Sequence, residues 1–107
     1  MPKFAQGVGF SAIFLLAGAA SALAGEGARI IIADTDFAPA TVAVHIGDTV
    51  TWANKDIVDH TFTAKNGAFD VVAPVGKSGG FRLSKPGTIT YYCRFHPNMV
   101  GTINVAE

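Results

Sequence analysis

From residue 28 onward the chain is written in short alternating stretches. Ala28–Ala33 (ARIIIA) is a β-branched run suited to the interior of a sheet. Residues 41–46 place Val42, Val44 and Ile46 on one face and Thr41, Ala43 and His45 on the other, the period of two that a half-buried strand requires. Gly47-Asp48 reads as a two-residue hairpin turn, after which Thr49–Asn54 resumes the alternation with Val50 and Trp52 inward. A polar loop, 55–59, leads into a short strand, His60–Ala64, and Asn66-Gly67 turns the chain into a further strand over 68–72. Residues 34–39 read as a turn, because Pro39 ends any ladder, and 73–80 (APVGKSGG) reads as loop. Phe81 and Leu83 alternate again, Pro86-Gly87 turns, and 88–93 (TITYYC) and 100–105 are the last two strands, with Ile103 and Val105 inward. No helical period is sustained and no repeat stands out. The pattern predicts an all-β Greek-key sandwich of about seven short strands, without fixing their order.

Upstream of this pattern the chain changes character. Lys3 gives a short positive start, residues 10–20 (FSAIFLLAGAA) are uncharged and mostly apolar, and Ala22-Leu23-Ala24 offers small residues where a signal peptidase reads. A retained anchor is the alternative, but the apolar stretch 8–24 is at the low end of the roughly 20 residues a bilayer span takes. The expected organisation is therefore a secretory signal peptide over 1–24, cleaved after Ala24, and one domain over 25–107, exported to the periplasm with no stable membrane association. Eight basic and eight acidic residues give no net formal charge, which excludes the basic excess of a nucleic-acid binder. A single cysteine in an exported chain is unusual, since an oxidising compartment favours pairs. An unpaired thiol there is a liability unless it is inertly buried or something such as a metal occupies it.

One segment exceeds sandwich grammar: Cys93-Arg94-Phe95-His96-Pro97-Asn98-Met99, a loop between the last two strands. Singly, a methionine before a strand is ordinary core filler and a loop histidine an ordinary surface residue. Together, a thiolate, an imidazole and a thioether three residues apart offer two soft sulfur donors and a borderline nitrogen. That set suits copper, whose blue form takes two imidazoles and a thiolate in a plane with a weak axial thioether. The fourth ligand must be a histidine from elsewhere. His45 lies on an outward strand face; His60 opens a strand after a polar loop and can meet Cys93 at one end of the sandwich. The candidate copper ligands are His60, Cys93, His96 and Met99, holding one mononuclear ion.

These residues resemble the cupredoxins, most closely the short-loop amicyanin-like and plastocyanin-like members, whose ligand loop reads C-x-x-H-P-x-M. The resemblance extends to GDTVTWAN at 47–54, to the D-x-x-x-H turn from Asp56 to His60 and to YYC entering the loop. It implies a Greek-key sandwich that shuttles single electrons outside the cytoplasm as a monomer, with the His96 edge as electron port. It also implies a redox partner such as a c-type cytochrome or a periplasmic dehydrogenase, docking near His96 and Pro97. Two positions depart from the pattern. Thr61 stands where many relatives have an asparagine bracing the two ligand loops. Phe95 stands where amicyanins often have proline; its backbone N–H is expected to point at the Cys93 sulfur and to raise the reduction potential.

Rival readings are weaker. A multicopper oxidase carries histidines on both sides of its cysteine, where this chain has Tyr92 and Arg94, so no enzyme is expected. A copper chaperone or storage protein would display several Met or His ligands in an open site, and only Met99 remains once Met1 is removed. Zinc would accept Cys and two His, but methionine is a poor zinc ligand.

Overall fold

In the computed structural model, residues 27–107 are described, so the expected leader lies outside the described residues. Among the described residues nine strands follow one another: β1 (Ala28–Ala33), β2 (Asp36–Ala38), β3 (Thr41–His45), β4 (Thr49–Asn54), β5 (His60–Ala64), β6 (Asp70–Ala73), β7 (Ser78–Arg82), β8 (Gly87–Tyr92) and β9 (Val100–Ala106). They form two sheets, one ordered β3-β9-β8-β5-β6 and the other β2-β1-β4-β7. The expected all-β sandwich is what the chain forms, and the strand order now follows. Both β1/β4 and β3/β9 pair in parallel, so the connections cross between sheets as in a Greek key.

Strand β2 arises in a segment that sequence grammar reads as irregular, and β7 starts ahead of the Phe81–Leu83 alternation. Asp34 and Thr35 both take positive φ, 53° and 57°, and so build the tight turn that returns β2 onto β1 before Pro39 stops it. Strand β7 begins inside the glycine-rich 73–80 segment. Its glycines serve close packing: a Cβ on Gly79 would sit 3.1 Å from the Phe62 ring, and one on Gly80 3.1 Å from the Val50 carbonyl oxygen. A third difference concerns Gly47-Asp48, which is no hairpin. Strands β3 and β4 lie in different sheets, and this turn carries the chain across the sandwich, with Asp48 accepting from the His45 N–H at 2.9 Å. Ile46, expected inward, sits at that crossing and is 41% exposed.

Between the sheets the alternating positions meet. Ile30, Ile32, Val50, Trp52, Phe62, Tyr91 and Ile103 are buried, and Val42, Val44 and Val105 nearly so. Trp52 stacks on Phe62 with ring centroids 4.1 Å apart and meets Tyr91 edge-on at 5.3 Å. An aromatic layer of this kind stabilises beyond its area burial, since offset and edge-to-face rings add about 0.5–1.5 kcal/mol per pair. It runs beneath the ends of β5 and β8, the strands that deliver His60 and Cys93. The packed aromatic layer therefore lies next to the strands that carry the candidate ligands, with Phe62 two residues from His60 and Tyr91 two from Cys93.

Candidate metal centre

The loop after β8 is closed by its own backbone. The Cys93 N–H donates to the Met99 carbonyl at 3.2 Å, the His96 N–H to the Cys93 carbonyl at 3.2 Å, and the Met99 N–H to the His96 carbonyl at 2.8 Å. Its two ends are a ladder pair, Tyr92 opposite Val100, so the loop springs from fixed anchors. His60 comes from the neighbouring strand as the first residue of β5, paired with Ala73. His60 and Cys93 are fully buried, Met99 is 2% exposed, and His96 alone of the four reaches the surface. All four sequence-predicted residues thus lie at one end of the sandwich; His45 is exposed on β3 in the other part of the fold.

The donor atoms converge as a metal would require. One ligand atom each of His60, Cys93 and His96 fall within 4.8 Å of one another. The Cys93 Sγ stands 3.6 Å from the His60 Nδ1 and 3.8 Å from the His96 Nδ1. A sulfur at about 2.3 Å and a nitrogen at about 2.0 Å from one ion, spread by about 120°, stand about 3.7 Å apart. Both sulfur–nitrogen spacings fit that angle, and the donor chemistry fits copper.

The surroundings prepare the ligands. The His60 Nε2 lies 2.8 Å from the Asp56 Oδ2, which fixes the ring and leaves Nδ1 free to ligate. The same carboxylate oxygen accepts the Thr35 N–H at 2.8 Å, and the Ile57 N–H donates to its companion oxygen. These bonds, the Thr35 N–H foremost and then His60, hold the Asp56 carboxyl down at about 2. At Cys93, burial pushes the thiol up. Bonds from the Thr61 N–H, His96, His60 and the Phe95 N–H outweigh it and bring the thiol down to about 6. Of these, the Thr61 N–H to Sγ is 3.3 Å long. The site thus favours a thiolate near neutral pH, the form that ligates.

Thr61 braces the two ligand segments although its side chain is short. Its Oγ1 accepts the Arg94 N–H at 2.8 Å, while its own N–H turns to the sulfur. Sequence reasoning assigned no role to Asp56 beyond its place in the D-x-x-x-H pattern. It passed over Thr63, Asp70 and Arg94, which are joined around Thr61; nothing in the spacing of Asp70 and Arg94, 24 residues apart, advertises that they meet. Beside His96, Phe95 is 49% exposed, and in the loop before His60, Ile57 and Val58 are 88% and 41% exposed. An open cavity of about 350 Å³ between Thr35 and the ligand loop is lined by Phe95, His96, Pro97, Asn98 and Met99.

A two-sheet sandwich with these soft donors gathered at one end defines a class: small all-β proteins with one mononuclear copper ion and a redox function. The family model of the cupredoxin-like domain matches residues 8–105, and the chain belongs to that family. It is 31% identical over 93 residues to amicyanin from Paracoccus denitrificans, covering 80% of this chain and 71% of that protein. Among solved structures it is similar to a purple cupredoxin from Nitrosopumilus maritimus, with a TM-score of 0.68, 30% identity, and 74% of this chain and 99% of that one covered. A reduced amicyanin carrying a proline-to-phenylalanine substitution superposes with a TM-score of 0.65 at 28% identity, over 80% of this chain and 88% of that one.

Proposed function

We propose that this chain is an exported blue-copper electron carrier, with His60, Cys93, His96 and Met99 as the ligands and periplasmic residence after cleavage at Ala24. The observation that carries it is the convergence of a buried thiolate and two imidazoles within 4.8 Å, with only one imidazole reaching the surface. When bound, copper supplies a one-electron couple between Cu(I) and Cu(II). The protein's contribution is rigidity: His60 is locked by Asp56, Cys93 by the Thr61 N–H, and the loop by its internal backbone bonds. Ligands that cannot move between oxidation states keep the reorganisation on electron transfer small. His96, framed by Phe95 and Pro97, is the part of the ligand set a partner can touch. Cleavage removes Lys3 and leaves seven basic and eight acidic residues, too balanced for strong long-range steering, so a short-lived apolar contact with a c-type cytochrome or periplasmic dehydrogenase fits this face. The protein acts as a monomer, and among the described residues no helix is long and apolar enough to cross a membrane.

The test is the visible spectrum of the domain loaded with Cu(II), beside a Cys93→Ser control. An intense thiolate-to-copper band near roughly 600 nm that the control lacks is expected of this geometry. A colourless protein that retains only Cu(I) overturns the carrier reading in favour of a copper chaperone or storage protein.

A further inference from the structure

Thr61, Thr63, Asp70 and Arg94 form a closed polar ring. The Arg94 N–H donates to the Thr61 Oγ1 at 2.8 Å, Thr61 Oγ1 and Thr63 Oγ1 are 2.9 Å apart, and Thr63 Oγ1 donates to the Asp70 Oδ1 at 2.9 Å. The Arg94 Nε closes the ring on the same Oδ1 at 2.9 Å. A hydroxyl has one hydrogen. Because Thr63 spends its hydrogen on Asp70, Thr61 must donate to Thr63, and every bond runs from Arg94 round to the carboxylate. Each hydroxyl that donates becomes a better acceptor itself, so the charge on Asp70, passed back through Thr63, strengthens the bond that Thr61 accepts from the Arg94 backbone.

We propose that Asp70, Thr63 and Arg94 are positioning residues of the metal centre, coupling a surface ion pair through two threonine hydroxyls to the thiolate. An exposed ion pair alone is worth little, and here the partners are 39% and 56% exposed. The threonines differ: Thr61 is 0% and Thr63 8% exposed, so their hydroxyls must find partners within the protein. The ring spans the residue after Cys93 and the residue after His60, and so clamps the ligand loop to β5 and β6. Thr61, held on the ring by its side chain, directs its backbone N–H to Sγ at 3.3 Å. That bond withdraws electron density from the sulfur, and loosening the ring weakens it. The ring does here what a longer amide side chain at position 61 would do directly, and it does so with residues from three elements.

This inference rests on the proposed copper site, and the experiment separates the two. Thr63→Val opens the ring while leaving the ion pair intact, Arg94→Gln opens it at the other end, and Thr63→Ser should restore it. Wild type and variants are loaded with copper. The reduction potential is then titrated and copper loss to a chelator timed, with amide exchange of Arg94 followed in the metal-free proteins. Thr63→Val is expected to lower the potential, weaken copper retention about tenfold or more, and speed Arg94 exchange. Combined with Arg94→Gln it should add little further, because one break already opens a ring. If wild type shows its charge-transfer band but Thr63→Val keeps the wild-type potential and retention, the ring has no role at the centre and the proposal fails. Additive losses would reduce it to unconnected contacts and also overturn it. If wild type shows no such band, the copper reading falls instead. The ring is then judged on Arg94 exchange, which must quicken in Thr63→Val for the clamp to stand.

Discussion

At the scale of single residues, the backbone around Cys93 governs the chemistry. Thr61 and Phe95 both direct N–H groups toward a sulfur that burial alone would keep protonated. Phe95→Pro deletes one donor, leaves the thiolate richer in electrons and favours Cu(II). The expected outcome is a lower reduction potential in a redox titration, and an unchanged or higher one would show that the Phe95 N–H has no such part. The metal-free thiol gives a second expectation. Its folded value of about 6 lies below the ordinary 9.0, so ionisation stabilises the folded metal-free protein fully above pH 9. That contribution is lost as pH falls through about 6. Thiolate absorbance in the ultraviolet, followed against pH before and after unfolding, should move its midpoint from near 6 to the ordinary thiol range. Part of this was legible in the sequence and part was not. Cys93, His96 and Met99 lie within seven residues and announce a donor set, and His60 follows by exclusion of His45. Thr63, Asp70 and Arg94 escape notice because the strands that bring them together pair in a register that a single sequence does not contain, while the D-x-x-x-H pattern marks Asp56 without showing its bond to His60.

Elements show the same division. Strands with clean alternation, β3, β4 and β9, stand close to where period two places them. The start of β7, ahead of Phe81, was hidden because two of its five residues are glycines, which propensity assigns to loops. In the folded protein they make room for Phe62 and the Val50 carbonyl. Gly47-Asp48 has the composition of a hairpin turn, yet the choice between turning back and crossing to the other sheet depends on which partner strand is available. Gly101 on β9 offers a direct test of close packing. An added Cβ would lie 2.3 Å from the Tyr91 ring, and Tyr91 is fully buried against Phe37 and Trp52. Gly101→Ala should therefore destabilise the metal-free domain by about 1–3 kcal/mol in a denaturant titration, the range for overpacking a rigid core. A smaller loss would mean that the aromatic layer yields more readily than its stacking suggests.

On the scale of the whole molecule, a domain of this size buries a limited core, and a tightly held ion adds appreciably to it. Copper at about a thousandfold excess over its dissociation constant contributes about 4 kcal/mol. Stripping it should lower the melting temperature by on the order of 20 °C, measurable by calorimetry before and after chelation, whereas Cys93→Ser should show little change on chelation. The arrangement of the site also bears on how such a protein diversifies. The loop that carries three of the four donors leaves and rejoins the ladder at one facing pair, Tyr92 and Val100, and closes on itself through three backbone bonds. It behaves as an exchangeable cassette, seated in a socket that ignores its sequence. Arg94 is the exception, since its side chain reaches Asp70 on β6 and its backbone N–H the Thr61 Oγ1 on β5. Moved into another sandwich without the matching threonines and aspartate, the cassette would seat but sit loose; inheritance of this loop therefore drags two distant strands along with it.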